Sequence, residues 1–134
     1  MPIGWIDELG LSCNSDAKLL RKELGISPQG EGKYDAHHIV MSNSKDARMI
    51  ALRKKMDELD INDKRNGIWL PNTESARVLG TTATPHKGAG VHGKAYKQYV
   101  FDKLSVANGR EESLSALSEV KQSLFDGISF KTIR

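Results

Sequence analysis

The sequence predicts a mostly helical α+β fold. Four stretches carry apolar residues at the three-to-four spacing of amphipathic helices, whereas only two short apolar runs, each bounded by turn residues, have the character of strands. The chain has 134 residues, 38% hydrophobic and 28% charged, which suits one domain with its own core and no need of disulfides or a structural metal. A metal bound here is therefore expected to serve chemistry rather than replace a missing core.

Residues 15–24 read as the first helix. Asn14 or Ser15 can cap it, Ala17, Leu20 and Leu24 share a face, and Gly25 ends it. Ser27-Pro28-Gln29-Gly30-Glu31-Gly32 is a loop by its Pro and Gly content. Tyr34 to Val40, with β-branched residues at its end, fits a strand. Ser42-Asn43-Ser44 offers caps for a helix over about 45–59, with Ala47, Ile50, Ala51 and Lys54 along one stripe and Leu52, Met56 and Leu59 along another. A turn-rich connection from Ile61 to Gly67 leads to Ile68-Trp69-Leu70, a second strand stopped by Pro71, with Trp69 expected as a core anchor. Asn66-Gly67 is also a frequent turn pair.

Asn72 to Arg77 predicts a brief helical turn, and residues 80–91, with four Gly or Pro and three Thr, an ordered loop. His92 to Leu104 returns to helix, with Tyr96, Val100 and Leu104 or Ala95, Tyr99 and Lys103 as its faces. Asn108-Gly109 breaks it, and residues 111–125 form a last helix with Leu114, Leu117, Val120 and Leu124 inward. The tail from Gly127 adds a short strand or frays.

Lys plus Arg number 20 against 17 Asp plus Glu, a net charge of +3 with a pI near 9.0. That balance permits a polyanionic partner without demanding one. Cys13 is the only cysteine, which excludes an internal disulfide and any cysteine-based zinc site. No apolar run approaches the ~18 residues of a membrane span, and the N-terminus lacks the pattern of a signal peptide. The expectation is no membrane partner, and a chain that either stays cytosolic or is exported within something larger.

The four histidines are His37, His38, His86 and His92. The first two are adjacent and precede the apolar Ile39-Val40, which places them at the edge of something buried. One imidazole can hold a metal while its neighbour moves a proton, the two tools needed to hydrolyse a phosphodiester with water. Three imidazoles suit zinc or nickel, and also accept magnesium or manganese with waters in the remaining positions. Successive side chains of a regular strand point to opposite faces, so His37 and His38 can serve one site only if the strand twists, bulges or ends there.

The ordered set Ala36-His37-His38-Ile39-Val40, Asp60-Ile61-Asn62-Asp63 leading to Asn66-Gly67-Ile68-Trp69-Leu70-Pro71, and then His86 and His92-Gly93-Lys94-Ala95-Tyr96 resembles the AHH family of the HNH/endonuclease VII superfamily. The resemblance implies a ββα-metal core over 34–104 with two short strands and a metal-binding helix. Around it would lie an N-terminal helix and loop at 1–33 and a C-terminal helix at 105–134, all in a single nuclease domain over 1–134. It also implies a metal-dependent endonuclease. His37, His92 and His86 would hold one divalent ion (zinc, magnesium, manganese or nickel), His38 would be the general base, and Asn66 would position it across the two strands. Related sequences usually carry the last two histidines about one helical turn apart. Here they are six apart, so both reach one metal only with His86 in the loop and His92 on the helix.

Lys87, Lys94 and Lys97 flank this constellation and could meet phosphates, as could Arg77, although each alone is more often a solvated charge. Tyr96 is expected to pack or to hydrogen-bond behind the metal site. The resemblance further implies DNA as substrate, cut without sequence specificity. It implies the toxic C-terminal module of a bacterial effector: a secretion apparatus acting through a removed N-terminal region, delivery into the cytoplasm of a target cell, and a cognate immunity protein. Two alternatives stand beside it. One is a non-catalytic, zinc-stabilised module that grips nucleic acid, and the other is a metal-independent ribonuclease toxin.

Overall fold

The computed structural model of the protein describes residues 12–29, 32–56 and 59–131. Residues 1–11 of the expected N-terminal region, Gly30 and Glu31 of the loop, Asp57 and Glu58 of the expected second helix and the terminal 132–134 lie outside the described residues. The order of elements is α1 (Ser12–Leu24), β1 (Tyr34–His38), α2 (Ala47–Lys55), β2 (Gly67–Pro71), α3 (Lys94–Ser105) and α4 (Gly109–Asp126), with single 3-10 turns at Lys64–Asn66 and Glu74–Ala76. The fold is α+β and mostly helical, as the periodicity implied.

The two strands form one antiparallel ribbon in which Tyr34 faces Pro71, His37 faces Ile68 and His38 faces Gly67. The register runs without a bulge and the strand ends at His38, two residues earlier than expected. Beyond it, the Ile39 N–H still donates to the Asn66 carbonyl. Alternation gives the ribbon two faces. One carries Asp35, His37, Ile68 and Leu70 toward the core. The other meets α1, where a Cβ on Gly67 would stand 2.5 Å from Leu20 Cδ1. Gly67 is therefore required by close helix packing and not by a turn. Trp69 is a correction: Leu70 is fully buried while Trp69 is only half-buried and stands apart from the main core. Two successive strand residues cannot share a layer, and Leu70 holds the inner one.

Helix boundaries differ from the sequence reading where a different cap wins. The described part of α1 already includes Ser12, so Asn14 and Ser15 lie within the helix. Asp46 caps α2 by accepting from the Arg48 N–H, and Ser44 Oγ in turn accepts from the Asp46 N–H. The helix ends after Arg53-Lys54-Lys55, cations that suit a C-terminal dipole. Arg53 also donates to the carbonyls of Met41 and Ser44, at 2.6 Å each, which pins the β1–α2 connection. Gly93 caps α3, so His92 precedes the helix instead of beginning it. Asn108 is the N-cap of α4, and Gly127 closes that helix in the left-handed conformation at φ 99°.

The core lies where α3 and α4 cover the ribbon. Tyr96, Val100 and Leu104 of α3 meet Leu117, Val120 and Leu124 of α4, with Met49, Leu52 and Leu70 from the other side. The described part of the tail after α4, up to Lys131, forms no strand and is held by hydrogen bonds. The Thr84 N–H donates to the Leu124 carbonyl, Thr84 Oγ1 bonds to the Ile128 carbonyl, and the Phe130 N–H donates to the Ala89 carbonyl. Phe130 then packs edge-on against Tyr96, with ring centroids 5.1 Å apart. The tail thus braces the loop between Thr81 and Val91, which carries His86.

Candidate metal centre and its flanking histidine

His37 comes from β1, His86 from the braced loop and His92 from the turn before α3. One ligand nitrogen from each lies within 4.8 Å of the other two. The ring centroids of His86 and His92 are 4.7 Å apart, and those of His37 and His92 5.8 Å. Gly88 and Gly90, at φ 90° and 80°, turn the chain between His86 and His92 so that both rings converge. The resemblance asked for one loop residue and one helix residue. The chain instead uses a loop and a turn, because the Gly93 N–H closes on the Gly90 carbonyl at 3.0 Å.

Proton counting fits the cluster to a cation. Tyr96 Oη has one proton, and it goes to the Ile39 carbonyl at 2.8 Å. Burial raises the Tyr96 pKa well above its usual value, with Tyr99 adding to the effect, so that proton stays. His37 Nε2, 2.9 Å from the same oxygen, must then donate its own hydrogen, which leaves Nδ1 with a lone pair. His86 Nδ1 lies 3.0 Å from Asp35 Oδ2, and since a carboxylate only accepts, Nε2 keeps the lone pair. Asp35 and His37 are two residues apart on one strand face, so a single strand supplies one cluster imidazole and the carboxylate that orients another.

Burial lowers the pKa of all four histidines. For His37, which is 2% exposed, it is the largest cause of a strong depression, reinforced by His86, His92 and His38. For His86 burial is opposed by Asp35. For His92 it is joined by His86 and Lys97. Neutral imidazoles are what metal coordination requires. Exposure is graded across the cluster, from buried His37 through His86 to exposed His92, so the cluster opens to solvent at His92.

His38 stands outside the cluster, as strand alternation demands. Its Nε2 is 2.7 Å from Asn62 Oδ1, and Asn62 Nδ2 donates to Asp16 Oδ1 at 3.2 Å. Burial lowers its pKa, opposed by the Asn62 hydrogen bond and by Asp16 and Asp60. The Asn66 side chain makes no hydrogen bond to His38. Its Oδ1 accepts from the Val40 N–H at 2.9 Å, and its Nδ2 donates to the carbonyls of Val40 and Ile61. It staples the chain leaving β1 to the chain entering β2.

Arg77 donates Nε to the Ala83 carbonyl at 2.8 Å, which ties it to the loop. The charges of Lys87 and Lys97 reach His86 and His92 respectively, whereas Lys94 is exposed in the first turn of α3. A groove of about 600 Å³ opens among Asp16, Val40, Arg53, Asn62 and Asn66 and includes none of the histidines. Asp35, Asn62 and Asp16 are the polar partners that sequence reasoning gave no role. Asp35 had a signal in its two-residue spacing from His37, and the other two had none.

A two-stranded antiparallel ribbon followed by a helix, with imidazoles gathered between them, is an HNH-like ββα arrangement. The model of AHH, a nuclease family of the HNH/ENDO VII superfamily with conserved AHH, matches residues 21–128. The chain belongs to that family, and the motif is Ala36-His37-His38. Comparison with curated proteins and with solved structures gave no significant match. Among the described residues no helix is long and apolar enough to cross a membrane.

Proposed function

We propose that the protein is an endonuclease that hydrolyses DNA phosphodiesters without sequence specificity, with one divalent metal ion. The observation that carries this reading is the convergence of His37, His86 and His92 within 4.8 Å, with His38 next in sequence on the other face of the same strand. His37, His86 and His92 would hold the ion, which can be zinc, nickel, magnesium or manganese. Its chemistry when bound is that of a Lewis acid for the charge that develops on a scissile phosphate.

The chain's own groups do the rest. His38 accepts the proton of the attacking water. Asn66 ties the chain that leaves β1 just after His38 to the turn before β2. Asp35 and Tyr96 hold the cluster imidazoles in place. Lys87, Lys94 and Lys97 line the approach and bind phosphates. Arg77, anchored through Nε, offers its outer N–H groups to the same backbone. A few such contacts suffice for a nuclease that reads no bases, consistent with a net charge of only +3.

The biological setting proposed is that of a toxin domain delivered by a bacterial secretion system into a rival's cytoplasm, neutralised in the producer by an immunity protein. The support is the family resemblance. The test of the activity is nicking of supercoiled plasmid. Cleavage is expected with divalent metal, lost in EDTA, and lowered about 10²–10⁴-fold in His38→Ala with metal still bound. RNA cleavage that persists in EDTA would favour the ribonuclease reading instead. Unfolding on chelation without any cleavage would favour a structural zinc module. Expression in a bacterial cytoplasm is expected to arrest growth and degrade DNA, and the His38→Ala form to do neither.

A further inference from the structure

We propose that Asp16 and Asn62 are positioning residues for His38, fixing the imidazole in the tautomer whose Nδ1 is the free base. The inference rests on the reading of His38 as the proton acceptor, and it gives α1 a part in the site although Asp16 lies outside the residues matched by the nuclease family.

Asp16 is 6% exposed and Asn62 7%. A buried polar side chain is ordinarily hydrogen-bonded, and these two satisfy each other through Asn62 Nδ2 and Asp16 Oδ1, 3.2 Å apart. The Asp16 carboxylate facing that amide accepts hydrogen bonds and cannot donate one. The amide must therefore turn its NH2 toward Asp16 and its oxygen toward His38. Asn62 Oδ1 can only accept, so His38 Nε2, 2.7 Å away, carries the hydrogen and Nδ1 carries the lone pair. The carboxylate sets the amide, and the amide sets the ring.

Two further contacts hold the relay still. The Asn62 N–H donates to Asp60 Oδ1 at 2.8 Å, which fixes the turn that presents the amide. Asn66 Nδ2 donates to the Ile61 carbonyl at 2.9 Å, one residue before Asn62. Helix α1 is seated on the ribbon by Leu20 against Gly67, so Asp16, one helical turn before Leu20, meets the amide from a fixed direction. An amide between carboxylate and imidazole transmits orientation without putting a full charge on the ring. That distinguishes it from a direct Asp–His pair, such as Asp35 with His86.

The experiment pairs nitrogen-15 NMR of the histidine rings with cleavage kinetics, on the full chain. In the metal-free parent, above about pH 7 where an ordinary imidazole is neutral, His38 is expected to show its hydrogen on Nε2. Asn62→Ala and Asp16→Ala are expected to give a tautomer mixture at His38 while His37 keeps its own. On supercoiled plasmid both are expected to lose about 10–100-fold in kcat, with KM and zinc affinity near the parent's. Asp16→Asn retains an oxygen that can accept from Asn62 and should recover most of what Asp16→Ala loses. An unchanged His38 tautomer in Asn62→Ala and Asp16→Ala overturns the proposal, as does a loss of zinc affinity equal to the loss of kcat. Should Asn62→Ala fail to fold, the two Asp16 variants decide. If the parent cuts no DNA, the nuclease reading fails, while the ring spectra still report whether the relay sets the tautomer.

Discussion

His37 and Tyr96 share one hydrogen bond, 2.9 Å long, whose direction is set by the proton that Tyr96 gives to the Ile39 carbonyl. Tyr96→Phe removes the one hydroxyl that satisfies both His37 Nε2–H and the Ile39 carbonyl, in a fully buried place. The variant is expected to lose about 1–3 kcal/mol of stability from unsatisfied groups, measurable by urea denaturation. Zinc affinity is expected to fall about 10–100-fold, read by competition with a chromogenic chelator. Wild-type affinity in the variant would show that His37 needs no partner behind it.

Burial of His37 makes the metal-free fold sensitive to acid. Its folded pKa lies well below the ordinary 6.5, so the unfolded chain takes up the proton first. Stability contributed by the neutral ring is fully present above about pH 6.5 and is lost as pH falls from there toward the folded pKa. The slope from this one group is about 1.4 kcal/mol per pH unit in that window. Denaturation of the metal-free protein between about pH 7 and pH 5 should show it, and His37→Gln should reduce the slope by about that share while the other three histidines keep theirs. Equal slopes in the two proteins would contradict the assignment.

The loop that carries His86 makes a sharper comparison between two glycines. Gly88 and Gly90 both have positive φ, at 90° and 80°. A Cβ on Gly88 would meet nothing within 4 Å, whereas one on Gly90 would stand 3.0 Å from the Phe130 carbonyl carbon and oxygen. Gly88→Ala is expected to cost about 1 kcal/mol of backbone strain. Gly90→Ala adds displacement of the tail and should weaken zinc binding as well as lower the melting temperature. Identical effects of the two substitutions on zinc binding would mean that the tail does not brace the site.

The histidine cluster was largely legible in the sequence because its pieces are local: an adjacent histidine pair on a short strand, and two more histidines around two glycines. The class of fold was legible from apolar periodicity. Partners that depend on how distant elements dock were not. His38 and Asn62 are 24 residues apart and Asn62 and Asp16 46, and no spacing rule links a helix residue to a turn that it meets only after packing. Trp69 was misplaced for a simpler reason: size argued for the core, but the alternation of β2 gave the inner layer to Leu70. His92 was placed on the helix because the apolar pattern of α3 runs back toward it, while the glycine cap starts the helix later.

The unbulged pairing of β1 with β2 makes the roles of the two adjacent imidazoles a matter of phase. Sliding β1 by one residue against β2 would turn each side chain to the opposite side. His37 would then leave its tyrosine for Asn62, and His38 would be carried toward the ion's ligands. A single-residue insertion or deletion within β1 would exchange the two tasks or destroy both. Asn66, bonded to Val40 and Ile61 beyond the strand ends, acts as the stop against that slippage.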